Sequence, residues 1–554
     1  MKSSILTLIA KLSPSKMACI VSVFCAATAI LSPAQTKLTT LFSFNGNNGA
    51  DPHYVNLVQG ADGSLYGTTY VSTGTGGTVF KITTGGTLTT LHTFCTQGQC
   101  LDGAYPNAGL LLNENGDFYG TTINGGANSD GTVFEISPLG TLTTLHSFDM
   151  TDGAEPEVAL IQASNAILYG TTSGGGTGQA GTIFQIDTAG VFTSLHSFDG
   201  TDGDYPNSRL VQGTSGNFYG TTYEGGGGSG TVYEITPAGK LTTLHIFDAA
   251  EADGNTGGLI QASNGNFYGT AFGGGIGGGT VFEMTPAGKL TVLYNFCSKA
   301  NCTDGETPYA GLIEATDGNL YGTTFSGGAN GSGTVFEITT AGKLTTLYSF
   351  CSQSNCADGS SPQGGLVQDT NGTFYGTTYH GGADSIGTIF SLSVGLGPFV
   401  KTLQTSGKVG ATVIILGTNL TGATKVSFNG IAAKFTVVSS TEIKATVPAG
   451  ATTGTVTVVT PHGTLKTNVI FKVTPQITSF TPTSGPVGTT VTITGVSLKQ
   501  TTKVTFDGVV ATGFTVDSDK KVTAMVPTGA KTGKIAITTP GGTATSTTNF
   551  TITP

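Results

Sequence analysis

The chain has 554 residues, a net charge of −10, only 10% charged residues, 86 glycines, no tryptophan and a single arginine. That length leaves room for about three or four domains, and regular apolar alternation along the chain excludes a disordered protein. Few charges with many Gly and Thr suit short strands joined by tight turns, so the expected class is all-β.

Residues 1–34 read as an export signal. Lys2, Lys11 and Lys16 form a basic start, Met17 to Leu31 is apolar but short for a membrane span, and Ser32-Pro33-Ala34 supplies small residues for cleavage after Ala34. The alternative is an uncleaved N-terminal anchor. No later segment is long and apolar enough to cross a bilayer, so no transmembrane span is expected in the mature chain.

From residue 35 the chain repeats. Tyr-Gly-Thr-Thr stands at Tyr66, Tyr119, Tyr169, Tyr219, Tyr321 and Tyr375, with Tyr-Gly-Thr-Ala at Tyr268. A strand-rich unit recurring about every 50 residues predicts a β-propeller. Each repeat carries four strand signals, for example Arg209-Leu-Val-Gln, Asn217-Phe-Tyr-Gly-Thr-Thr, Gly230-Thr-Val-Tyr-Glu-Ile-Thr and Lys240-Leu-Thr-Thr-Leu-His-Ile-Phe. The fourth signal is displaced. Its first copy, 37–44, precedes the first full repeat, and none follows 387–390. The N-terminal strand is therefore expected to complete the last blade, built from 364–393, and to close a seven-bladed ring of residues 35–396 without open edges.

Six cysteines fall in three identical spacings, Cys95/Cys100, Cys297/Cys302 and Cys351/Cys356, each in a loop that other repeats keep four residues shorter. A disulfide within each loop is the simplest reading and suits an exported protein. Zinc is the weaker alternative, with two Cys per site and no His nearby.

From residue 397 two segments align with each other. Gly410-Ala-Thr-Val-Ile-Ile-Leu-Gly417 matches Gly488-Thr-Thr-Val-Thr-Ile-Thr-Gly495, and Val447-Pro-Ala-Gly-Ala-Thr-Thr-Gly454 matches Val526-Pro-Thr-Gly-Ala-Lys-Thr-Gly533. Units of about 80 residues with alternating strands predict two small β-sandwiches, 397–473 and 474–554. These signatures resemble tandem IPT/TIG immunoglobulin-like domains. The repeats, through Tyr-Gly-Thr-Thr, the Gly-rich loop and Gly-Thr-Val-Phe-Glu-Ile, resemble the GloVer (Gloeo_Verruco) tandem repeat of exported bacterial proteins. That resemblance implies an extracellular location, no established activity, and a C-terminal sorting signal that Thr551-Ile-Thr-Pro554 does not match.

Charge is divided along the chain. Residues 35–396 hold 7 basic against 29 acidic groups, and residues 397–554 hold 13 lysines against 4 acids. The two parts therefore invite different partners. Some IPT/TIG domains bind DNA, but an acidic, exported chain without Arg in those domains points away from nucleic acid.

The candidate site residues each have a structural alternative. Asp102, Asp152, Asp202, Asp253, Asp304 and Asp358 open equivalent Asp-Gly loops. As a rim of carboxylates they could bind Ca²⁺, a cation or a sugar; as turn residues they need only accept backbone hydrogen bonds. No other cofactor and no dedicated metal site are expected. His92, His146, His196 and His245 share one repeat position with Phe42, Tyr294 and Tyr348, which favours packing over a metal cluster. Glu135, Glu234, Glu283 and Glu337 interchange with Lys81, Gln185 and Ser391, which predicts solvent exposure. Arg209 stands where other repeats have Asn56, Gly109, Ala159, Gly258, Gly311 and Gly365; it could hold a carboxylate or sulfate, or be neutral drift.

No nucleophile–base pair is visible and no catalytic residue is assigned. The reading is an exported, non-enzymatic binding protein of the cell surface or extracellular space, with the periplasm as the other compartment. The propeller would recognise a glycan or surface protein, and the C-terminal pair would act as a stalk. Alternatives are a carbohydrate-active enzyme, lyase or glycosidase, and a spacer without ligand. Any ligand is expected on the face of the Asp-Gly and Gly-rich loops, near the central channel and Arg209.

Overall fold

The computed structural model describes residues 36–96, 98–252 and 257–554. The export-signal reading of 1–34 and Asp253 lie outside them. Seven four-stranded antiparallel sheets follow one another as the blades of a β-propeller. In the fourth blade the strands are Val211–Gln212, Phe218–Thr221, Thr231–Ile235 and Leu241–Ile246. The innermost strand is two residues long, so Arg209, read from sequence as its first residue, lies just before it.

The ring closes through the N-terminus. Lys37–Ser43 is the outermost strand of the sheet that continues with Thr388–Ser393, Phe374–Thr378 and Val367–Gln368. It runs antiparallel to its neighbour from Lys37 opposite Ser393 to Ser43 opposite Thr388. Phe44, just after this strand, is fully buried.

The repeated tetrapeptide is explained by packing at each of its positions. Its tyrosine lies against the phenylalanine of the next blade, with ring centroids 4.1 Å apart for Tyr66 and Phe118 and 4.3 Å for Tyr219 and Phe267. The glycine leaves room for the phenylalanine of the third strand: a Cβ on Gly120 would sit 2.5 Å from Phe134 Cζ. The first threonine donates across the blade boundary, as from Thr68 to the Ala108 carbonyl at 2.8 Å and from Thr270 to that of Ala310 at 2.8 Å. The second pairs with the threonine that opens the third strand, Thr69 with Thr78 and Thr172 with Thr182, both at 2.8 Å. Buried hydroxyls are tolerated where they find such partners; Thr171 Oγ1, in the third blade, is buried without one.

Strand alternation assigns the connections to faces. The turns between first and second strands and between third and fourth lie on one face. The Gly-rich loops and the Asp-Gly loops lie on the other. On the short-turn face Thr441 donates to the Ala61 carbonyl (2.7 Å), Gln404 to Glu114 (2.8 Å), and the Phe399 amide to the Thr370 carbonyl (2.9 Å). Leu416 joins the apolar cluster of Tyr66, Phe94 and Phe118. The C-terminal region thus packs on that face and leaves the loop face open.

Beyond the ring, two pairs of sheets repeat one plan. Lys401–Thr402, Thr412–Leu416, Glu442–Thr446 and Phe435–Val437 form one sheet, and Ile431–Ala432, Lys425–Phe428, Val456–Thr460 and Gly463–Lys466 the other. Val413, Ile415, Val426, Ile443 and Val458 fill the space between them. The same order recurs after residue 476 around Val491, Ile493, Val504, Val522 and Ile537.

Candidate functional site

The aspartates of the Asp-Gly loops are engaged inside their own blades. Asp102 meets His92 Nε2 at 3.0 Å and accepts the Cys95 amide at 3.1 Å. Asp152 pairs with His146 at 2.9 Å and Asp202 with His196 at 2.7 Å. After the fourth blade Glu251 takes this part against His245, at 2.6 Å. Asp304 and Asp358, both fully buried, accept hydrogen bonds from Tyr294 and Tyr348 at 2.7 Å each and from the Ser298 and Ser352 hydroxyls. Burial pushes these two carboxyls up, but the Tyr and Ser hydrogen bonds outweigh it and hold them below the usual carboxylate range. Two sequence features read separately, the loop acid and the strand-four His or Tyr, are thus the two ends of one hydrogen bond.

The cysteines pair within their loops, Cys95–Cys100, Cys297–Cys302 and Cys351–Cys356. Among the described residues one cluster of metal-type ligands appears, Cys297, Cys302 and Glu306, and both its sulfurs belong to a disulfide.

The strand-three glutamates correct the expectation of plain solvent exposure. They are half-buried and anchor the repeat: Tyr119, Tyr219 and Tyr268 donate to Glu135, Glu234 and Glu283 at 2.5, 2.7 and 2.8 Å. In the first blade Asp62 replaces this anchor, bonded to Tyr66 (3.1 Å) and paired with Lys81 (2.5 Å).

Arg209 enters the central channel. It lines a cavity of about 150 Å³ at the axis and makes no hydrogen bond or ion pair among the described residues. Its side chain reaches the water in the lumen but is ringed by protein, and this burial pulls its pKa below the ordinary guanidinium value. It stays charged, because a guanidinium does not deprotonate in proteins. Its equivalents Gly109 and Gly311 have no room for a side chain: a Cβ would lie 2.3 Å from the Asn56 carbonyl oxygen and 2.5 Å from that of Gly257.

A collar surrounds the guanidinium. The residue that follows the loop proline, or lies one further in the first blade, supplies Tyr54, Asn107, Glu157, Asn207, Tyr309 and Gln363, four side-chain types over six blades. Burial, with Glu155 adding to it, pushes the Glu157 carboxyl up to about 7. Asn207 Oδ1 and Gln363 Oε1 are buried acceptors without a partner. The residue before the proline holds a left-handed backbone in six blades, Asp51, Tyr105, Glu155, Tyr205, Thr307 and Ser361, with φ between 51° and 59°. Non-glycine residues adopt this region at a cost, and such strain gathers at functional sites.

Above the collar the rings form a crown. His53 touches Tyr54, Tyr70 and Tyr379, with centroids 4.3, 5.4 and 5.3 Å apart. Tyr70 continues to Tyr105 at 5.1 Å, and Tyr379 to His380 at 4.2 Å. Tyr54 reaches Tyr309 at 6.0 Å, which meets Phe272 at 4.8 Å and Phe325 at 5.3 Å. These nine rings are one contiguous surface. Burial lowers the His53 pKa against the opposing pull of its bond to Asn107 and of Asp51, so the ring is held toward its neutral form. Sequence reasoning missed the crown, although a signal existed: the residue after the tetrapeptide is Tyr70, Tyr223, Phe272, Phe325 or Tyr379 in five repeats.

An all-β ring with an open, aromatic-rimmed axial channel defines the class: a β-propeller with its candidate ligand face opposite the docked C-terminal sheets. The chain belongs to the Gloeobacter/Verrucomicrobia repeat family, whose model matches residues 26–229 and 215–438. Residues 475–552 match the IPT/TIG domain. No curated protein matches. Among solved structures, the chain is similar to a copper-bound fungal alcohol oxidase of the AA5 family, at 12% identity over 79% of this chain and 98% of that one, with a TM-score of 0.44. It also matches a protein solved with a xylogluco-oligosaccharide, at 21% identity over 28% of this chain and a TM-score of 0.20. A third match is SGBP-B from a complex xyloglucan utilization locus in Bacteroides uniformis, at 25% identity over 27% of this chain and a TM-score of 0.15. The chain spans 40% and 48% of the length of the last two.

Proposed function

We propose that the protein is an exported, non-catalytic glycan-binding protein whose propeller, residues 35–396, presents the aromatic crown to a carbohydrate. In this reading residues 1–34 direct export, and 397–473 and 474–554 are two IPT/TIG domains that hold the ring's loop face outward. The crown is the observation that carries the proposal. The C–H faces of sugar rings pack on aromatic faces, while tyrosine hydroxyls and amides take the sugar hydroxyls, so a continuous aromatic lining beside Asn107, Asn207 and Gln363 suits a saccharide. Binding is favoured over hydrolysis because Glu157 is the single carboxylate on the described channel wall, and glycoside hydrolysis uses two.

Affinity electrophoresis of the mature chain through a panel of plant and bacterial polysaccharides tests this. At least one polysaccharide should retard the wild type, and the Tyr54→Ala/Tyr309→Ala variant should migrate freely. Retardation by none, or equal retardation of both proteins, overturns the proposal.

A further inference from the structure

We infer that the channel beneath the crown is a carboxylate site in which Arg209 takes the acid group of a single uronic acid at the end of an otherwise neutral glycan. The inference rests on the glycan-binding reading and names its ligand class.

Arg209 is the only arginine of the chain, and it stands at the axis with its five N–H donors unpaired among the described residues. A guanidinium fork fits a carboxylate through two parallel hydrogen bonds. The wall around it is prepared on the same side. Asn207 Oδ1 and Gln363 Oε1 are buried and unpartnered, and Gln363 as a whole is only 8% exposed. Both side chains belong to the wall of the Arg209 cavity, so the surface that faces the guanidinium there is polar and uncharged.

No described collar residue is ion-paired to Arg209. At the six equivalent positions stand Asn56, Gly109, Ala159, Gly258, Gly311 and Gly365, all uncharged. Glu157, the one acid on the described wall, is not ion-paired to Arg209, and its raised pKa of about 7 leaves it largely neutral in mildly acidic solution.

Two quantities fix the kind of acid. The cavity, about 150 Å³, is well below the roughly 300 Å³ at which sites begin to enclose a whole small-molecule ligand, so it admits an end group. The ring that surrounds it holds 29 acidic against 7 basic residues, a field that repels a polyanion far more than one carboxylate. A polyuronate is therefore disfavoured, and a neutral chain ending in one uronate fits both the crown and the channel.

The test is isothermal titration of the mature chain with pairs of oligosaccharides. Each pair is a neutral oligosaccharide tipped with one glucuronate or galacturonate and the same molecule with the carboxyl reduced to an alcohol; free glucuronate and polygalacturonate are run beside them. For at least one pair the acid should bind about tenfold or more tighter, the usual gain from a charge-assisted hydrogen bond. Arg209→Ala should abolish the difference while leaving the weaker neutral binding, and Arg209→Lys should keep part of it. Neutral binding that depends on Tyr309, with no preference for acid in any pair, overturns this inference and leaves the glycan reading standing. No binding by any oligosaccharide overturns both. Free glucuronate as tight as the tipped oligosaccharides, or polygalacturonate tighter than they are, overturns the end-group assignment. The paired comparison on wild-type protein decides the matter even if Arg209→Ala fails to fold.

Discussion

Two layers of the same blades behave in opposite ways. The Tyr-Gly-Thr-Thr strands are nearly identical in all seven repeats, and their side chains serve the contact between blades: stacked, close-packed or hydrogen-bonded, as at Tyr66, Gly120, Thr68 and Thr69. The collar after the loop prolines varies among the blades, and several of its polar groups have no partner among the described residues: the Arg209 guanidinium, Asn207 Oδ1 and Gln363 Oε1. In a repeat protein, sameness marks what every blade needs to meet its neighbour. The functional search belongs where one blade departs from the rest, because a single ligand at the axis cannot obey sevenfold symmetry.

The largest effect should come from breaking the ring itself. Deleting residues 36–45 removes a full strand and the buried Phe44, together with Leu38 and Leu41, which pack on the clusters of the first and last blades. At roughly 1.5–3 kcal/mol per buried apolar side chain, the loss is on the order of 5 kcal/mol before the exposed sheet edge is counted. Calorimetry should show a much lower and broader transition for the ring. A transition unchanged by the deletion would mean that the N-terminal strand does not close it.

Gly120→Ala sharpens the contrast within one blade. Its new Cβ would meet Phe134 Cζ at 2.5 Å and Leu110 Cδ2 at 2.9 Å, in a strand buried on both faces. Overpacking of this kind costs about 1–3 kcal/mol. Glu157→Gln, in the collar of the next blade, should not lower stability and should raise it at pH 7, since it removes a carboxyl that burial keeps from ionising until about pH 7. Chemical denaturation of the two variants compares them directly. Equal destabilisation would end the distinction between scaffold and collar.

Tyr309→Ala should act on binding and spare stability. Tyr309 joins the two halves of the crown through Tyr54 and through Phe272 and Phe325. Its loss should weaken glycan binding about tenfold, read by titration, while the denaturation midpoint stays near that of the wild type.

These expectations differ in how far the sequence alone supports them. Ring closure was readable because strands and turns are local patterns, and the displaced copy at 37–44 could be counted against the others. The loop acids were read as turn residues or as a ligand rim; their bonds to His92, His146 and His196 were not foreseen, although six-residue spacings such as His146 to Asp152 repeat. The crown and collar escaped for a geometric reason. Each blade gives them one or two residues, such as Tyr70, Tyr105 or Asn207, scattered over some 300 positions. They become neighbours only when the ring closes, and no window of sequence contains that fact.

The smallest expected effect is the most specific to the collar. Glu157 lines the channel with its carboxyl pushed up to about 7, chiefly by burial and further by Glu155. Tyr54 and Tyr70, coupled to it electrostatically, keep their protons through this range because burial raises both phenols, and Arg209 on the same wall stays cationic. Between pH 6 and 8 the titration that matters here is therefore that of Glu157. A raised carboxyl is neutral below its pKa and negative above it, so raising the pH through 7 places a negative charge beside the proposed carboxylate ligand. Affinity for a uronate-tipped oligosaccharide should fall by about three- to tenfold over that interval, whereas affinity for its carboxyl-reduced partner should stay level. Glu157→Gln should remove the pH dependence while leaving the preference for acid that Arg209 supplies. A slope that persists in Glu157→Gln, or that appears equally for the neutral ligand, would place the titrating group elsewhere and detach Glu157 from the site.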